Sequence, residues 1–180
     1  MTTTNTYEDT ATTTNVFEVR AIDRTVLAEL RVRDHLGHAP RLVTDHAGGS
    51  PLRCCLRSSE PGELIALVSY APLRLWAQQT GADPGPYDEV GPVFIHPGEC
   101  EGPQGTGYPD AFIGLRRMFR AYRADGSILL GRLAVPEEVG DQAAASSLLN
   151  GMLADSQVAV IHARAVDFGC FTFEVRRAGA

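Results

Sequence analysis

The C-terminal segment, residues 157–177, carries the pattern that most constrains the fold of this chain. Two runs of alternating character, QVAVIHARAV and CFTFEVRR, flank Asp167-Phe168-Gly169. A three-residue hairpin loop needs a left-handed residue, which Gly169 supplies. The resulting register makes one face of the ribbon wholly apolar, so that face is predicted to be the core side. On it, Ala165, Ala163 and Ile161 lie opposite Phe171, Phe173 and Val175.

The opposite face of this hairpin carries side chains that can do chemistry. His162 lies directly across from Glu174, with Cys170 and Arg164 on the same side. A carboxylate opposite an imidazole orients the ring and favours its charged form, as in acid-base catalysis. The alternative is a cross-strand ion pair on a solvated sheet face, which contributes little.

Further hairpins and two helices are predicted upstream. The strands at 52–56 and 63–70 are joined by a turn at Pro61-Gly62. Asp125-Gly126 fits a two-residue type I′ turn between two more strands. Asp23 caps a helix that carries Leu27 and Leu30 and stops at Gly37, and a second helix spans about 137–154. The remaining features are a loop at 38–51, the strand PVFIH, which ends at His96, and an insert at 71–86 that carries Trp76. Trp76 is expected to fill the edge of the core, and a lid is the alternative.

Strands that outnumber helices, most of them in hairpins, predict an α+β fold with a largely antiparallel sheet. At 180 residues the chain has the length of one domain. The threonine-rich residues 1–15 are expected to be a disordered lead-in, and residues 16–180 the domain.

Composition excludes several functions. A net charge of −6 argues against nucleic acid as a partner. The absence of lysine excludes Schiff-base catalysis and a P-loop lysine. No apolar run is long enough to cross a membrane, and no signal peptide is recognisable, so we expect a cytoplasmic protein. In that reducing compartment the four cysteines are expected as thiols or metal ligands.

Four segments follow one another from about Pro51 to the C-terminus: PLRCCLRSSEPGE, PYDEVGPVFIH, FRAYRADG and VIHARAVDFGCFTFEVRR. Together they resemble the DUF1203 family of bacterial proteins. The family name denotes a domain of unknown function, so the resemblance implies a kind of protein without implying a reaction. Many relatives carry a cysteine where this chain has Leu52, whereas this chain has the doublet Cys54-Cys55.

Three chemistries are compatible with these residues. The first is a cysteine-histidine reaction site, with a thiolate, an imidazole partner and a carboxylate that orients the ring. Its alternative is that the cysteines are small buried hydrophobic residues. The candidates are Cys55 or Cys170 as thiolate, His96 or His162 as partner, and Glu89 or Glu174 as the orienting acid.

The second chemistry is a metal centre, and the third is a non-catalytic pocket for a small acidic metabolite. No CxxC, HxxxH or HExxH motif supports the metal, so no ligands are assigned and Zn or Fe is kept as an alternative. For the pocket, guanidinium groups suit carboxylate and phosphate, although surface arginines commonly pair with acids. The candidate metal ligands are Cys55, His96, Cys100, His162 and Cys170. The candidate residues for binding an acidic metabolite are Arg53, Arg120, Arg164, Arg176, Tyr87, Tyr122 and Glu89.

We therefore predict a small-molecule site that uses Cys, His and Arg side chains on the polar sheet face and on the loop after His96. An enzyme without a nucleotide cofactor is favoured, and a binder is the alternative. The expected partner is a small-molecule ligand, and a homodimer is left open as the assembly.

Overall fold

The computed structural model describes residues 16–179, which form ten strands and three α-helices. The α+β prediction is confirmed, because the strands form two five-stranded, mostly antiparallel sheets. The predicted lead-in, residues 1–15, lies outside the described residues. The strands are β1 (Phe17–Arg20), β2 (Arg41–Asp45), β3 (Pro51–Leu52), β4 (Arg57–Ser58), β5 (Glu63–Tyr70), β6 (Gly91–Ile95), β7 (Arg117–Tyr122), β8 (Ile128–Ala134), β9 (Val160–Ala165) and β10 (Phe171–Arg177). The helices are α1 (Arg24–Leu30), α2 (Pro72–Thr80) and α3 (Gln142–Leu153), with 3₁₀ turns at Gly85–Tyr87, Asp110–Phe112 and Pro136–Val139.

Sheet A has the strand order β1-β10-β9-β7-β8 and is antiparallel throughout. One of its faces is apolar, as alternation in β9 and β10 requires. Phe173, Phe119 and Ile161 on that face are fully buried and pack with Leu149 of α3. The predicted core side of the C-terminal hairpin is therefore correct over most of its length.

The predicted register holds away from the hairpin loop and is wrong next to it. His162 pairs with Glu174 as expected, but Phe171 lies opposite Arg164 instead of Ala165, because a bulge interrupts the pairing before Phe173. The loop is one residue longer than predicted, since the Ala165 N–H donates to the Cys170 carbonyl at 2.9 Å. The bulge moves Phe171 out of the core cluster of Phe173 and into that of sheet B.

The second face of sheet A is largely covered, so His162 and Glu174 on it are buried. Phe171 packs in a tilted arrangement against Tyr70 of sheet B, at 5.4 Å between ring centroids, and edge-to-face against His162 at 5.2 Å. Trp76 of α2 packs with Tyr122 and Val160 in the same layer, which confirms the interpretation of the tryptophan as a core residue.

Sheet B has the order β2-β5-β6-β3-β4. β3 runs parallel to β6 through the pair Leu52–Phe94, the one parallel pairing among residues 16–179. Apolar residues of its central strands pack with Leu27 and Leu30 of α1. The Asp23 cap of α1 is confirmed, with its carboxylate accepting from the Thr25 N–H at 2.8 Å, but the helix ends at Leu30 and not near Gly37.

Five further local predictions are wrong. The predicted strand 52–56 is a turn between the two-residue strands β3 and β4, and the predicted loop 38–51 contains β2. The hairpin expected between 52–56 and 63–70 does not form, because β5 pairs with β2 and β6. The helix expected over about 137–154 divides into a 3₁₀ turn and α3, because the Asp141 carboxylate caps α3 by accepting from the Ala144 N–H. The turn at Asp125-Gly126 is a three-residue loop closed by Arg123 and Ser127, with a positive φ at Gly126 but not at Asp125.

Within the described part of the chain, no helix combines the length and the apolar character that a membrane span requires.

Candidate metal centre

The turn between β3 and β4 brings the two adjacent cysteines to one place. In a strand, neighbouring side chains point to opposite faces, so the predicted strand 52–56 would have separated Cys54 from Cys55. Instead the Leu56 N–H donates to the Leu52 carbonyl at 2.8 Å, and Leu56 has a left-handed φ of 59°. The two sulfur atoms are consequently 4.0 Å apart.

The parallel pairing of β3 with β6 brings His96 beside this turn. The Arg53 N–H donates to the Phe94 carbonyl at 2.9 Å and extends the β3–β6 contact into the turn. His96, the next residue after β6, donates its own backbone N–H to Cys54 Sγ at 3.3 Å. Its ring nitrogen Nδ1 lies 3.1 Å from Cys54 Sγ and 3.8 Å from Cys55 Sγ.

Cys100 completes a cluster of four potential metal ligands. It comes from the loop after β6, and its Sγ, the other two sulfur atoms and one nitrogen of His96 all lie within 4.8 Å of one another. Cys54 is buried, and the other three residues are half-buried. We refer to Cys54, Cys55, His96 and Cys100 as the Cys/His cluster.

A carboxylate fixes the orientation of the His96 ring. Glu63 Oε1 lies 2.8 Å from His96 Nε2, and Arg57 holds Glu63 through two hydrogen bonds of 2.6 and 2.9 Å. A guanidinium nitrogen of Arg57 also lies 2.7 Å from Nε2. The Glu63 carboxylate can accept hydrogen bonds from Arg57 and from a protonated Nε2 at the same time. We therefore assign the ring proton to Nε2, so the Nδ1 lone pair faces the sulfur atoms. The hydrogen bond from Arg57 lowers the pKa of Glu63 to about 2.

The two adjacent thiols differ in acidity. The hydrogen bond to Cys55 and burial raise the pKa of the Cys54 thiol. The same hydrogen bond lowers the pKa of Cys55 to about 6, against the opposing effect of burial. Cys55 is thus the sulfur that ionises first.

The Cys/His cluster forms one wall of a cleft of about 800 Å³. Cys55, His96 and Cys100 line it, whereas Cys54 does not. The rest of the lining comes chiefly from residues 99–111 after β6 and includes Gln142 of α3. A molecule in the cleft would therefore contact three members of the cluster.

The other predicted catalytic residues lie elsewhere. His162 is fully buried between the sheets, with Nε2 3.4 Å from Glu174, and burial lowers its pKa. Cys170 lies at the hairpin loop, where its thiol donates to the Phe168 carbonyl at 3.6 Å. Neither belongs to the Cys/His cluster of the described residues, so the structure does not bring together the whole predicted site.

Apart from Arg176, which pairs with Glu174 and donates to Gln79 at 2.9 Å, the predicted ligand-binding residues divide into two groups. Arg53 is buried, and its Nε donates to the Phe171 carbonyl at 2.8 Å, which ties the two sheets together. The second group is a polar network on sheet A and the loop before β6. It comprises Glu89, Arg120, Arg164 and Tyr122, with the 39% exposed Tyr87 two residues before Glu89.

Three residues of the centre were missing from the sequence-based candidates: Cys54, Arg57 and Glu63. The doublet Cys54-Cys55 signalled a second sulfur, but a strand assignment places the two side chains on opposite faces. Arg57 and Glu63 flank the short loop between β4 and β5. Their opposite charges on the two sides of this loop are the sequence feature that could have indicated the pair.

The fold and the site define an α+β protein of two packed sheets with a three-cysteine, one-histidine cluster beside a cleft. The chain belongs to the family described as "Protein of unknown function (DUF1203)", whose model matches residues 49–177. This match confirms the resemblance and includes the whole Cys/His cluster. Neither the curated proteins nor the solved structures contain a match to the chain.

Proposed function

We propose that Cys54, Cys55, His96 and Cys100 bind one transition-metal ion, with Zn²⁺ as the first candidate. The observation that carries this proposal is that four ligand atoms lie within 4.8 Å of one another. A tetrahedral zinc ion with bonds of about 2.3 Å to sulfur and about 2.0 Å to nitrogen separates its ligands by about 3.5 to 3.8 Å. The Cys54–Cys55 sulfur distance of 4.0 Å and the Cys55 Sγ–Nδ1 distance of 3.8 Å are close to those values. The Cys54 Sγ–Nδ1 distance of 3.1 Å is shorter and would lengthen when an ion binds.

The outer partners of the cluster support the same proposal. A metal-bound histidine usually donates its other ring N–H to a carboxylate, which fixes the tautomer. Glu63 occupies that position on His96, and Arg57 fixes Glu63 in turn. Three thiolates and an imidazole suit zinc or iron better than magnesium or calcium, which prefer oxygen.

A four-ligand ion would stabilise the loop that forms the cleft. The ligands come from the β3–β4 turn, the end of β6 and the loop after it, so one ion would connect three chain segments. Sites with four protein ligands are typically structural. The cleft beside the ion is where we place the small polar ligand expected for this protein.

A second candidate function is a thiol-dependent enzyme that acts on a small polar substrate. Cys55 lines the cleft, and its sulfur lies 3.8 Å from His96 Nδ1, a distance that shortens readily on substrate binding. In this alternative Cys55 is the nucleophile, His96 the base and Glu63 the group that orients the base.

Metal analysis of the purified protein tests the first proposal. We expect one ion per chain after anaerobic reconstitution with Zn²⁺, and less than a tenth of that in Cys100→Ser or His96→Asn. Cys170→Ser is the matched control, because this cysteine lies outside the cluster. Equal zinc content in Cys100→Ser and Cys170→Ser would refute the metal centre.

Alkylation by iodoacetamide separates the two candidates. A bound ion protects Cys54, Cys55 and Cys100 until a chelator is added, whereas Cys170 reacts in both conditions. If the site is a free catalytic thiol, Cys55 is alkylated first without any chelator. Mass spectrometry of the peptides identifies which cysteine has reacted.

A further inference from the structure

Away from the Cys/His cluster, two arginines of sheet A converge on one carboxylate. Arg120 Nη1 lies 2.7 Å from Glu89 Oε1, and Arg164 Nη2 lies 2.6 Å from Glu89 Oε2. The two arginines share a face of neighbouring strands, because Arg120 pairs with His162 and Arg164 lies two residues further along β9. Two rigid strands therefore present both guanidinium groups to the same point.

This point carries more positive charge than Glu89 neutralises. Two guanidinium groups share the single carboxylate of Glu89. Arg164, which is nine-tenths buried, donates to the Tyr122 hydroxyl at 3.5 Å and to the Gly169 carbonyl at 3.1 Å, while its Nε has no hydrogen-bond partner within residues 16–179. A buried guanidinium with an unused donor has capacity for another acceptor.

Glu89 differs from its two partners in its attachment to the fold. Its side chain is 45% exposed, against 10% for Arg164, and it lies on the loop between α2 and β6. The arginines are thus held by strands of the sheet, whereas the carboxylate is held by a loop.

We propose that Arg120 and Arg164 form a binding site for a small oxyanion, and that Glu89 occupies this site as an internal substitute. Paired guanidinium groups bind carboxylate and phosphate through charge-assisted hydrogen bonds in fixed geometry. A dianion would neutralise both arginines, which Glu89 cannot do. The ligand is therefore a small phosphate or dicarboxylate compound that displaces the Glu89 side chain.

Removal of the internal carboxylate tests this site. In Glu89→Ala we expect calorimetry to show saturable binding of inorganic phosphate at least about tenfold tighter than in the wild type, since one competing hydrogen-bonded charge is lost. Succinate in the same titration distinguishes a dicarboxylate site from a phosphate site. Sodium chloride at matched ionic strength measures the nonspecific salt effect.

The second variant removes one arginine in the Glu89→Ala background. Arg120→Gln should abolish the binding, and Arg132→Gln, an exposed arginine of β8 paired with Glu138, should leave it unchanged. The site is refuted if neither phosphate nor succinate binds Glu89→Ala above the chloride control, or if Arg120→Gln keeps the binding. If Glu89→Ala does not fold, Glu89→Gln retains the side-chain size and is tested by the same criteria.

Discussion

The proposed role of Glu63 gives the most specific prediction about the metal centre. Glu63→Ala removes the acceptor of the His96 Nε2–H and leaves Nε2 2.7 Å from an Arg57 nitrogen. Arginine has only donors, so Nε2 must then become the acceptor. The ring proton consequently moves to Nδ1, which faces the sulfur atoms and can no longer bind a metal in that tautomer.

The size of the effect follows from this tautomer change. Loss of an outer carboxylate partner typically lowers metal affinity by about 10- to 100-fold. That range corresponds to about 1.4 to 2.8 kcal/mol. Glu63→Gln keeps a carbonyl oxygen that can accept from Nε2–H, so its zinc affinity should lie between those of Glu63→Ala and the wild type.

Competition with a chromophoric chelator measures the zinc affinity of each variant. Glu138→Ala is the control, since this glutamate also pairs with an arginine, Arg132, but outside the cluster. The melting temperature of the metal-free protein is recorded as well, because a purely structural role of Glu63 would lower it without changing the affinity. Zinc affinity of Glu63→Ala within twofold of Glu138→Ala would refute the positioning of His96 by Glu63.

Three predictions concern the fold. Burial raises the pKa of Asp34, but hydrogen bonds from three backbone N–H groups outweigh it and lower the pKa from 3.8 to about 2. Asp34→Ala should lower the free energy of unfolding by about 2 kcal/mol at neutral pH, as measured by urea unfolding. Because the pKa of Asp34 is depressed in the folded state, the difference between wild type and variant should disappear as the pH falls from about 4 to 2. A difference that does not change with pH would contradict this role of the Asp34 charge. Gly126→Ala places a Cβ 2.8 Å from Pro84 Cα at a φ of 91° and should lower the free energy of unfolding by about 1 to 3 kcal/mol. In the control Gly151→Ala, in α3, the added Cβ meets no atom within 4 Å, and the variant should be more stable than wild type by up to about 1 kcal/mol. Equal stability of the two variants would contradict the close approach of Gly126 to Pro84. Phe173→Ala should lower the free energy of unfolding by about 3 to 5 kcal/mol, because the Phe173 ring is fully buried. A loss below about 1 kcal/mol would show that the ring is not buried in the core.

Local patterns predicted those parts of the fold that depend on neighbouring residues. The alternation around His162 fixes its pairing with Glu174, since a slip by one residue would bury charges in the apolar core. The same pattern cannot locate the bulge, because Phe171 is apolar and packs equally well on either covered face of sheet A. Sequence alternation also does not show that the second face is covered by sheet B.

The Cys/His cluster could be predicted only in part. His96, Cys55 and Cys100 were candidates from their residue types, but their convergence depends on the parallel contact of β3 with β6, which joins residues 42 apart. The turn that unites Cys54 with Cys55 requires a left-handed Leu56, a conformation that leucine rarely adopts. Neither feature produces a periodic signal in the sequence.

The position of Arg53 has a consequence for how this protein unfolds. Its backbone joins the turn of the Cys/His cluster to β6, and its buried guanidinium holds a carbonyl of β10 in the other sheet. Separation of the sheets would break this hydrogen bond and the contact of Phe171 with Tyr70, so each sheet loses stabilising contacts when the other unfolds. The two sheets should therefore melt in a single cooperative transition, and an ion at the cysteines would raise the midpoint of both halves together.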